Sequence, residues 1–374
     1  MSTARRGPAL PDFPWDSLAG HGATARAHSD GIVDLSVGTP VDPVPEVVRD
    51  ALNSAAWMPG YPATHGTAEL RETAVAALAR RYGVTGLAPE AVLPTIGSKE
   101  LVAWLPTLLG VGPGDQVVVP ELAYPTYEVG AKLAGAEVLR ADGLVSLGPV
   151  RPGLLWLNSP SNPTGKVLGV DHLRKVVEWA RQRGVIVASD ECYLGLGWAE
   201  PGSVDDPVSI LHPTVSDGDP TGLLAVHSLS KTSNLAGYRA GLVTGDPELV
   251  AGLLAVRKHA GLIVPRPVQA AMTAALADDE HIELTRNRYA ARRKALHAAL
   301  TGAGFTIDHS AAGLYLWATR GEDAWQTVGW LAELGILVAP GTFYGPAGKT
   351  HVRVSLTATD ERVAAATTRL SSTR

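Results

Sequence analysis

The sequence predicts an α/β protein built around a mostly parallel sheet, and three observations support that prediction. Between residues 65 and 280, apolar runs rich in β-branched residues alternate with stretches of helical periodicity, which is typical of a sheet covered by helices on both faces. Each apolar run ends at Gly, Pro, Asn or Ser, so polar residues collect at one end of the strands. The 374 residues are 45% hydrophobic and 18% charged, which suits an ordered chain with a large core.

The elements of the large domain follow from apolar patterning. Segments with the composition of buried strands are predicted at 116–120, 154–157, 185–189, 223–227 and 241–244. Helices are predicted at 68–82, 99–109, 171–184 and 268–276. In the helix at 171–184, apolar residues recur at helical spacing after Asp171, which we predict to be its N-cap.

The C-terminal part has a different pattern and predicts a second, smaller unit. A long Arg-rich helix from His281 to about Leu300 is expected to leave the large domain. It is followed by short strand segments at 313–318, 337–340 and 352–356 and by a closing helix from Glu361. Together these elements predict a small α+β domain.

Charge and cysteine content exclude several classes of protein. The net charge is −5 and the pI is near 6.1, which gives no electrostatic basis for binding nucleic acid or an anionic membrane. Cys192 is the single cysteine, so no internal disulfide and no Cys-x-x-Cys metal site can form, and the histidines lack metal-ligand spacing. The segment 1–16 carries Arg5 and Arg6 but no apolar stretch typical of a signal peptide. We therefore expect a cytoplasmic protein that binds no metal.

The segment from His227 to Gly241 carries the residues with the clearest chemical meaning. It opens at a strand end and contains Ser228, Ser230, Lys231 and Arg239. Hydroxyls, a fork-shaped guanidinium and turn amides suit a phosphate, and a lysine at an apolar strand end is placed to condense with a carbonyl. Pyridoxal 5′-phosphate (PLP) requires both groups. Taken alone, the segment is also compatible with an ordinary polar loop.

Two further strand ends carry polar residues. Asp190 follows an apolar strand, where its carboxylate can pair with a protonated ring nitrogen, although a loop acid or a helix N-cap has the same sequence context. Tyr193 and, after another strand, Asn162 are placed to hydrogen-bond the phenolic oxygen of such a ring. The Pro-rich run 158–165 around Asn162 is consistent with a stiff turn that contains a cis X-Pro bond.

In this order along the chain, the three segments resemble the motifs of the class I/II aminotransferases, which are fold-type I PLP-dependent enzymes. The resemblance extends over essentially the whole chain. It implies a large domain with a mostly parallel seven-stranded sheet covered by helices, and a small α+β domain formed from both termini. The implied division is an N-terminal arm at 1–45, the PLP-binding domain at 46–280 and the small domain at 281–374.

The resemblance implies catalytic roles for three residues. Lys231 is the expected Schiff-base lysine, Asp190 is the partner of the ring nitrogen, and Tyr193 is a ligand of the phenolic oxygen together with Asn162. The other implied cofactor-binding residues hold the phosphate, stack on the ring, or start the helix whose amides face the phosphate. They are Ser228, Ser230, Arg239, Tyr124, Gly97, Ser98 and Lys99.

The resemblance also implies substrate contacts and a partner. Arg353 is expected to clamp the substrate α-carboxylate with two parallel hydrogen bonds, although a surface charge on a strand has the same pattern. Gly38 is expected to lie over the substrate, where a side chain would collide with it, and Asn162 is expected to contact the substrate as well. Tyr61 is expected to reach the phosphate of a neighbouring subunit, which implies a homodimer with shared active sites.

Three segments, 10–16, 32–45 and 120–130, are similar to the bacterial N-succinyldiaminopimelate aminotransferases of lysine synthesis. The resemblance implies amino transfer from N-succinyl-LL-2,6-diaminopimelate to 2-oxoglutarate. An ungapped count places the distal-carboxylate arginine of the aspartate enzymes near Ala260. Arg257, Lys258 or Arg266 is therefore a candidate for binding a distal carboxylate, with simple surface charge as the alternative.

Two other activities use the same cofactor residues. One is another class I aminotransferase, of aspartate, aromatic or alanine type, and the other is a PLP-dependent cysteine-conjugate β-lyase. A cofactor-sensing regulator would need an N-terminal DNA-binding domain of about 70 residues, and the segment 1–30 is too short for one.

Overall fold

The computed structural model of the chain describes residues 10–372, so Arg5 and Arg6 lie outside the described residues. The strands of the described part are β1 (Val33–Asp34), β2 (Val92–Ile96), β3 (Gln116–Val119), β4 (Glu137–Arg140), β5 (Leu154–Asn158), β6 (Ile186–Asp190), β7 (Leu223–Ser228), β8 (Ala240–Gly245), β9 (Thr306–Asp308), β10 (Tyr315–Thr319), β11 (Ile336–Leu337), β12 (Ala339–Pro340) and β13 (His351–Ser355).

The helices between these strands vary from single turns to a long connecting helix. They are α1 (Ala19–Arg26), α2 (Glu46–Ala55), α3 (Ala68–Tyr82), α4 (Gly97–Leu108), α5 (Thr126–Ala134), α6 (Leu144–Leu147), α7 (Val170–Arg181), α8 (Pro213–Ser216), α9 (Leu229–Thr232), α10 (Pro247–Ala260), α11 (Arg266–Ala277), α12 (Glu280–Gly302), α13 (Ala324–Glu333) and α14 (Asp360–Ser371). Over residues 10–372, none of the helices has the length and apolarity that crossing a bilayer requires.

The central sheet has seven strands in the order β2-β8-β7-β6-β5-β3-β4. Neighbouring strands from β7 to β4 pair in parallel, whereas β8 is antiparallel to both β7 and β2. This arrangement confirms the predicted α/β fold with a mostly parallel sheet. The five strand segments predicted for the large domain all occur, with ends shifted by one residue at most.

The two edge strands of the sheet were absent from the sequence prediction. Pro94 interrupts the apolar run of β2, and the charged residues Glu137 and Arg140 lie at the ends of β4. Proline lacks the N–H that an internal strand must donate, and edge strands tolerate both proline and charge because one side of the strand has no partner. The same features that hide these strands in the sequence are therefore typical of sheet edges.

Helices cover both faces of the sheet, and β5 shows the alternation. Leu154 and Trp156 pack into the apolar cluster that contains α4 and α5, whereas Leu155 and Leu157 pack into the cluster that contains α7. Successive side chains of a strand point to opposite faces, so one strand contributes to two cores.

The start of α7 differs from its prediction. The helix begins at Val170 and its N-cap is Gly169, so the prediction of Asp171 as N-cap is wrong. Asp171 lies in the first turn instead, where a carboxylate interacts favourably with the positive end of the helix dipole. Asp residues are common both at the N-cap and in the first turn, which explains the shift.

Both ends of the chain contribute to a second core. The antiparallel sheet β12-β13-β10-β9 lies in the C-terminal part, and β1 pairs in parallel with β11. The predicted strand at 337–340 is divided into β11 and β12. Val33 and Leu35 share one buried cluster with Leu316 and Val354. Domain boundaries at residues 45 and 280 stay a prediction, although this shared core is consistent with a small domain built from both termini.

Candidate active site

A cavity of about 730 Å³ opens at the carboxyl ends of β5, β6 and β7. Most of the predicted site residues line it, although they come from elements spread along the chain. They are Gly38, Ser98, Lys99, Tyr124, Asn162, Asp190, Tyr193, Ser228, Ser230, Lys231, Arg239 and Arg353. Gly97 lies beside the Arg239 guanidinium, just outside the lining. Tyr61 does not line the cavity, and its side chain is fully exposed at 101%.

Lys231 stands on α9, the single helical turn that follows β7. The Ser228 side chain caps this turn by accepting a hydrogen bond from the backbone N–H of Ser230 at 3.1 Å. The Lys231 ammonium donates to the carbonyl of Gly38. Burial lowers the pKa of the Lys231 amine, and the positive charges of Arg353 and Arg239 lower it further. A neutral amine at this position can act as a nucleophile or as a base.

Asp190 ends β6 and is buried at the floor of the cavity. Its carboxylate accepts a hydrogen bond from the Tyr127 hydroxyl at 2.7 Å and another from the backbone N–H of Cys192 at 3.2 Å. Burial raises the pKa of Asp190, whereas these hydrogen bonds oppose the rise. No basic side chain of the described residues forms an ion pair with Asp190, so the carboxylate is available to a cationic group of a ligand.

A cup of hydrogen-bond donors lies in the same cavity, around the start of α4. Gly97 starts α4 with a φ of +69°, and a Cβ there would collide with the Arg239 guanidinium. The guanidinium donates to the carbonyl of Ala236 at 2.7 Å and has no carboxylate partner among residues 10–372. Arg239 itself has a φ of +56°, a strained conformation that aims its side chain at the helix start. Free amides at the start of a helix, two serine hydroxyls and an arginine suit a phosphate.

Arg353 projects from β13 and is only 3% exposed, so the alternative of a surface charge is excluded. It donates to the Asn162 side-chain oxygen at 2.9 Å and to the carbonyl of Ser36 at 2.7 Å. Within residues 10–372 its Nε has no hydrogen-bond partner, and its guanidinium carbon lies 3.9 Å from the centre of the Tyr315 ring. All of its acceptors are neutral, which leaves a buried positive charge that an anionic ligand can balance.

The turn that holds Asn162 is stiff. The peptide bonds Ser159–Pro160 and Asn162–Pro163 are both cis, as expected for this Pro-rich run. The Asn158 side-chain oxygen accepts a hydrogen bond from the backbone N–H of Asn162 at 2.7 Å. The Asn158 amide in turn donates to the carbonyl of Asp190 at 3.0 Å, so the turn is fixed to the end of β6.

Tyrosines form one wall of the cavity. The hydroxyls of Tyr193 and Tyr315 are 3.0 Å apart. Burial raises the pKa of Tyr193, whereas for Tyr315 the positive charges of Arg353 and Lys231 outweigh burial and lower the pKa. Tyr124 forms another wall, and burial raises its pKa to about 12. The hydroxyls of Tyr193 and Tyr124 are therefore protonated near neutral pH and can donate hydrogen bonds.

The structure gives a reason of its own for the glycine at position 38. A Cβ on Gly38 would collide with the Tyr315 hydroxyl, and the Gly38 carbonyl is the acceptor of Lys231. Tyr315 of the protein itself therefore excludes a larger residue at position 38, whereas the sequence predicted a collision between that residue and the substrate.

The three basic candidates for a distal carboxylate lie elsewhere. Arg257 is fully buried and pairs with Glu100 at 2.9 Å, which leaves none of its charge for a ligand and contradicts that hypothesis. Lys258 is exposed and Arg266 is half-buried, and neither lines the cavity. Neither side chain makes a hydrogen bond or an ion pair within residues 10–372.

Several lining residues escaped the sequence analysis. Tyr127, Asn158 and Tyr315 act through contacts with residues far away in the chain, and Phe13 and Trp15 reach the cavity from the N-terminal segment. The pattern Ala-Tyr-Pro-Thr-Tyr contains Tyr127 three residues after Tyr124, which was the one available signal.

Comparison with known proteins assigns the chain to a family. Residues 30–370 match the family described as aminotransferase class I and II. The probable aminotransferase Rv1178 of Mycobacterium tuberculosis is 71% identical over 96% of this chain and 85% of that protein. The 4-dedimethylamino-4-oxo-anhydrotetracycline transaminase OxyQ of Streptomyces rimosus is 58% identical over 96% of this chain and 99% of that protein.

More distant relatives agree with this assignment. An LL-diaminopimelate aminotransferase of Dehalococcoides mccartyi is 31% identical over 97% of this chain and 96% of that protein. A crystal structure of an aminotransferase from Neisseria meningitidis has a TM-score of 0.87 and 29% identity, covering 97% of each chain.

Proposed function

The chain belongs to the class I and II aminotransferases, and we propose that within this family it transfers an amino group from N-succinyl-LL-2,6-diaminopimelate to 2-oxoglutarate. The family works with PLP, so the protein is a PLP-dependent aminotransferase that acts on amino acids and 2-oxo acids. We propose the identity of the donor and of the acceptor, a role in lysine synthesis, and a cytoplasmic location.

The donor groups of the cavity fit PLP. Lys231 offers an amine of lowered pKa for the aldehyde, and Asp190 offers a carboxylate without a cationic partner for the ring nitrogen. Arg239 and the start of α4 offer a cup without a carboxylate for the phosphate, next to Ser228 and Ser230. The three functional groups of the cofactor therefore each have a chemically matched partner.

The chain's own residues perform the proton transfer. The chemistry that PLP supplies when bound is withdrawal of electrons from the substrate Cα. Lys231 would accept the proton from the substrate Cα and hold it as the ammonium, because its lowered pKa increases the neutral fraction of the amine. Asp190 stabilises positive charge on the ring nitrogen, and Tyr193 donates to the phenolic oxygen. Arg353 orients the reacting carbon by binding the α-carboxylate of both substrates.

The observation that carries the choice of donor is the position of Lys99. Its side chain is exposed at the cavity mouth, 5.6 Å from the centre of the Phe13 ring, and forms no ion pair among residues 10–372. Phe13 and Trp15 belong to the N-terminal segment that resembles the N-succinyldiaminopimelate enzymes. A donor whose α-carboxylate is held by Arg353 and whose succinyl carboxylate reaches Lys99 supplies each of these two cations with a partner.

Kinetics of the donor half-reaction test this proposal. The wild-type protein is expected to turn over N-succinyl-LL-2,6-diaminopimelate with a higher kcat/KM than LL-diaminopimelate or aspartate. K99M is expected to lower kcat/KM about fivefold for the succinylated donor and to leave LL-diaminopimelate unchanged, whereas K258M, at another exposed lysine, changes neither. Equal or faster turnover of aspartate by the wild-type protein would contradict the proposal.

The identity to OxyQ favours a second candidate, amination of a 4-oxo-anhydrotetracycline of the kind in that protein's name. The aromatic walls formed by Phe13, Trp15 and Tyr124 are consistent with a polycyclic substrate. The remaining alternative, a cysteine-conjugate β-lyase, releases pyruvate and ammonia without a 2-oxo acid acceptor. Assays with the ketone and with a cysteine conjugate separate these activities from the proposed one.

We also propose that the active unit is a homodimer with shared sites. Tyr61 and Trp57 are exposed at 101% and 75%, which is unusual for large aromatic side chains of an isolated chain. A second copy would cover them and bring Tyr61 to the partner's phosphate cup. Sedimentation of the holoprotein is expected to give a dimer, and Y61F to weaken PLP binding. A monomer with wild-type activity would exclude the shared site.

A further inference from the structure

A second cavity, of about 360 Å³, lies on the face of the central sheet that α7 covers. Its floor is formed by Val118, Leu155 and Leu157, and α7 contributes Val176 to the wall. It shares only Asn158 with the lining of the active-site cavity. The described residues therefore leave two separate spaces at the same end of the sheet.

The size of this cavity is that of a ligand site. Protein interiors are packed to near-crystalline density and contain few voids larger than a water molecule, and small-molecule sites begin at about 300 Å³. For contrast, the internal space beside Glu191 and His227 is about 30 Å³, which suits a single water molecule. The second cavity is an order of magnitude larger than that space.

The rim of the second cavity carries a lysine without a charged partner. Lys166 lies at the rim with its side chain exposed and forms no ion pair or side-chain hydrogen bond among residues 10–372. Burial lowers the pKa of His172, the charges of Lys166 and Lys175 lower it further, and the charge of Asp142 raises it. Asp142, which also lines the cavity, accepts a hydrogen bond from the backbone N–H of Glu121 at 2.9 Å.

We propose that this second cavity binds a small carboxylic acid with a compact apolar body, such as an aryl-substituted propionate. The apolar part fills the space above Leu155 and Leu157, and the carboxylate meets Lys166 at the rim. An apolar floor with a few converging polar groups is the usual composition of such sites. The inference concerns a site outside the catalytic cavity and does not depend on the identity of the amino donor.

The second cavity is connected to the proposed substrate clamp, which consists of Arg353 and its acceptors Asn162 and Ser36. Asn158, Ser161 and Thr164 line it, and they flank Asn162 in the stiff turn. The backbone N–H of Asn162 donates to Asn158, and Arg353 donates to the Asn162 side chain at 2.9 Å. A ligand that fills the cavity stabilises this arrangement of the turn, so it favours the conformation in which Arg353 is aligned.

Calorimetric titration of the holoenzyme with 3-phenylpropionate tests the proposal. We expect saturable binding at one site per chain, and at least threefold weaker binding of the neutral analogue 3-phenylpropanamide. K166M is expected to weaken binding at least threefold, whereas K175M, the same substitution at a lysine that does not line the cavity, leaves it unchanged. V176W is expected to abolish binding because the larger side chain fills the space.

The same probe has a carboxylate that Arg353 can bind, so its location needs its own control. R353L is expected to retain binding, since the proposed site lies on the other side of the turn. Binding that is lost in R353L and unchanged in K166M would show active-site occupancy only and overturn the proposal. Absence of binding to the wild-type protein would overturn it as well. K166M changes an exposed side chain, so the test does not depend on whether V176W folds.

The connection to the clamp has a separate readout. Saturating 3-phenylpropionate is expected to lower the KM for the amino donor at least twofold in the wild-type protein and to have no effect in K166M at the same concentration. An increase in KM would indicate competition at the active site and would contradict the proposed connection.

Discussion

Two buried arginines of this molecule differ in the charge of the groups that accept their hydrogen bonds. Arg257 on α10 is fully buried, and its two terminal nitrogens donate to the two carboxylate oxygens of Glu100 at 2.9 and 3.0 Å. Arg353 on β13 is nearly as buried, yet its acceptors are the neutral oxygens of Asn162 and Ser36. The first guanidinium is neutralised within the protein, whereas the second keeps its charge.

The difference between Arg257 and Arg353 distinguishes a buried charge that stabilises the fold from a buried charge that is available to a ligand. A buried ion in a protein normally has a partner of opposite charge, because desolvation without a partner is strongly unfavourable. A buried cation that lacks one, beside a large cavity, is arranged for a ligand that supplies the missing charge. The comparison predicts that unpaired cations of the cavity control activity and that the paired cation controls stability.

The largest expected effect belongs to Lys231, the lysine whose pKa burial lowers. K231A removes the proposed base for proton transfer, so kcat should fall by at least about 10³-fold while the fold is retained. A coupled assay of glutamate formation or consumption measures this. K258A, at an exposed lysine, is the matched control and should be unaffected. A K231A protein with normal amino transfer would refute the assigned role.

The next effect concerns the paired arginine. R257L leaves the Glu100 carboxylate without its partner, which should destabilise the protein by about 3–5 kcal/mol. Denaturant unfolding measures the loss, and kcat/KM of the remaining folded enzyme should be unchanged. The double variant R257L/E100L should recover part of the stability, since it removes both charges. A loss of substrate affinity without a loss of stability would reverse the comparison.

Substitution of Arg353, the unpaired arginine, should lower activity more than stability. R353L removes the partner of the substrate α-carboxylate, so kcat/KM for amino acids should fall by about 10²-fold or more. The free energy of unfolding should change much less than in R257L, because no carboxylate of the protein loses its partner. Steady-state kinetics and unfolding, measured on the same samples, check both statements.

Glu191 is a buried carboxylate that no lysine or arginine of residues 10–372 neutralises, and it makes the stability of the protein depend on pH. Burial raises the pKa of Glu191 to about 7, and burial lowers the pKa of the neighbouring His227 to about 4. Because the folded state holds the Glu191 proton more tightly than the unfolded state, this residue's contribution to stability falls as the pH rises from about 4.5 to 7.

E191Q should therefore gain stability relative to the wild-type protein as the pH rises, by about 2 kcal/mol between pH 5.5 and 8.5. Urea unfolding at the two values measures it. His227 remains in both proteins, so its contribution largely cancels in the difference. A constant difference between the two proteins at both pH values would show that Glu191 does not titrate in this range.

Local chemistry was predictable from the sequence, and long-range pairing was not. Ser228, Ser230, Lys231 and Arg239 lie on one short segment after a strand, so their residue types alone indicated a phosphate and a carbonyl ligand. Glu100 is 157 positions from Arg257, and nothing in the local sequence shows that the two meet. The bond from Tyr127 to Asp190 also depends on how α5 and β6 pack.

The strands of the central sheet also differ in how far the local sequence predicts them. Central strands are predominantly apolar and were found within one residue, because burial on both faces selects such sequences. The edge strands β2 and β4 carry Pro94 and Glu137, which a partner strand on each side would not tolerate. Their assignment depends on the position in the sheet, which only tertiary structure provides.

The clamp around Arg353 joins the two ends of the chain. The Ser36 carbonyl accepts from Arg353, and the Leu35 carbonyl accepts from the backbone N–H of Ser355 at 2.9 Å. During synthesis, residues 35 and 36 leave the ribosome long before residues 353 and 355. A nascent chain can therefore form the proposed cofactor cup of the large domain before residues 353 and 355 complete the proposed carboxylate clamp.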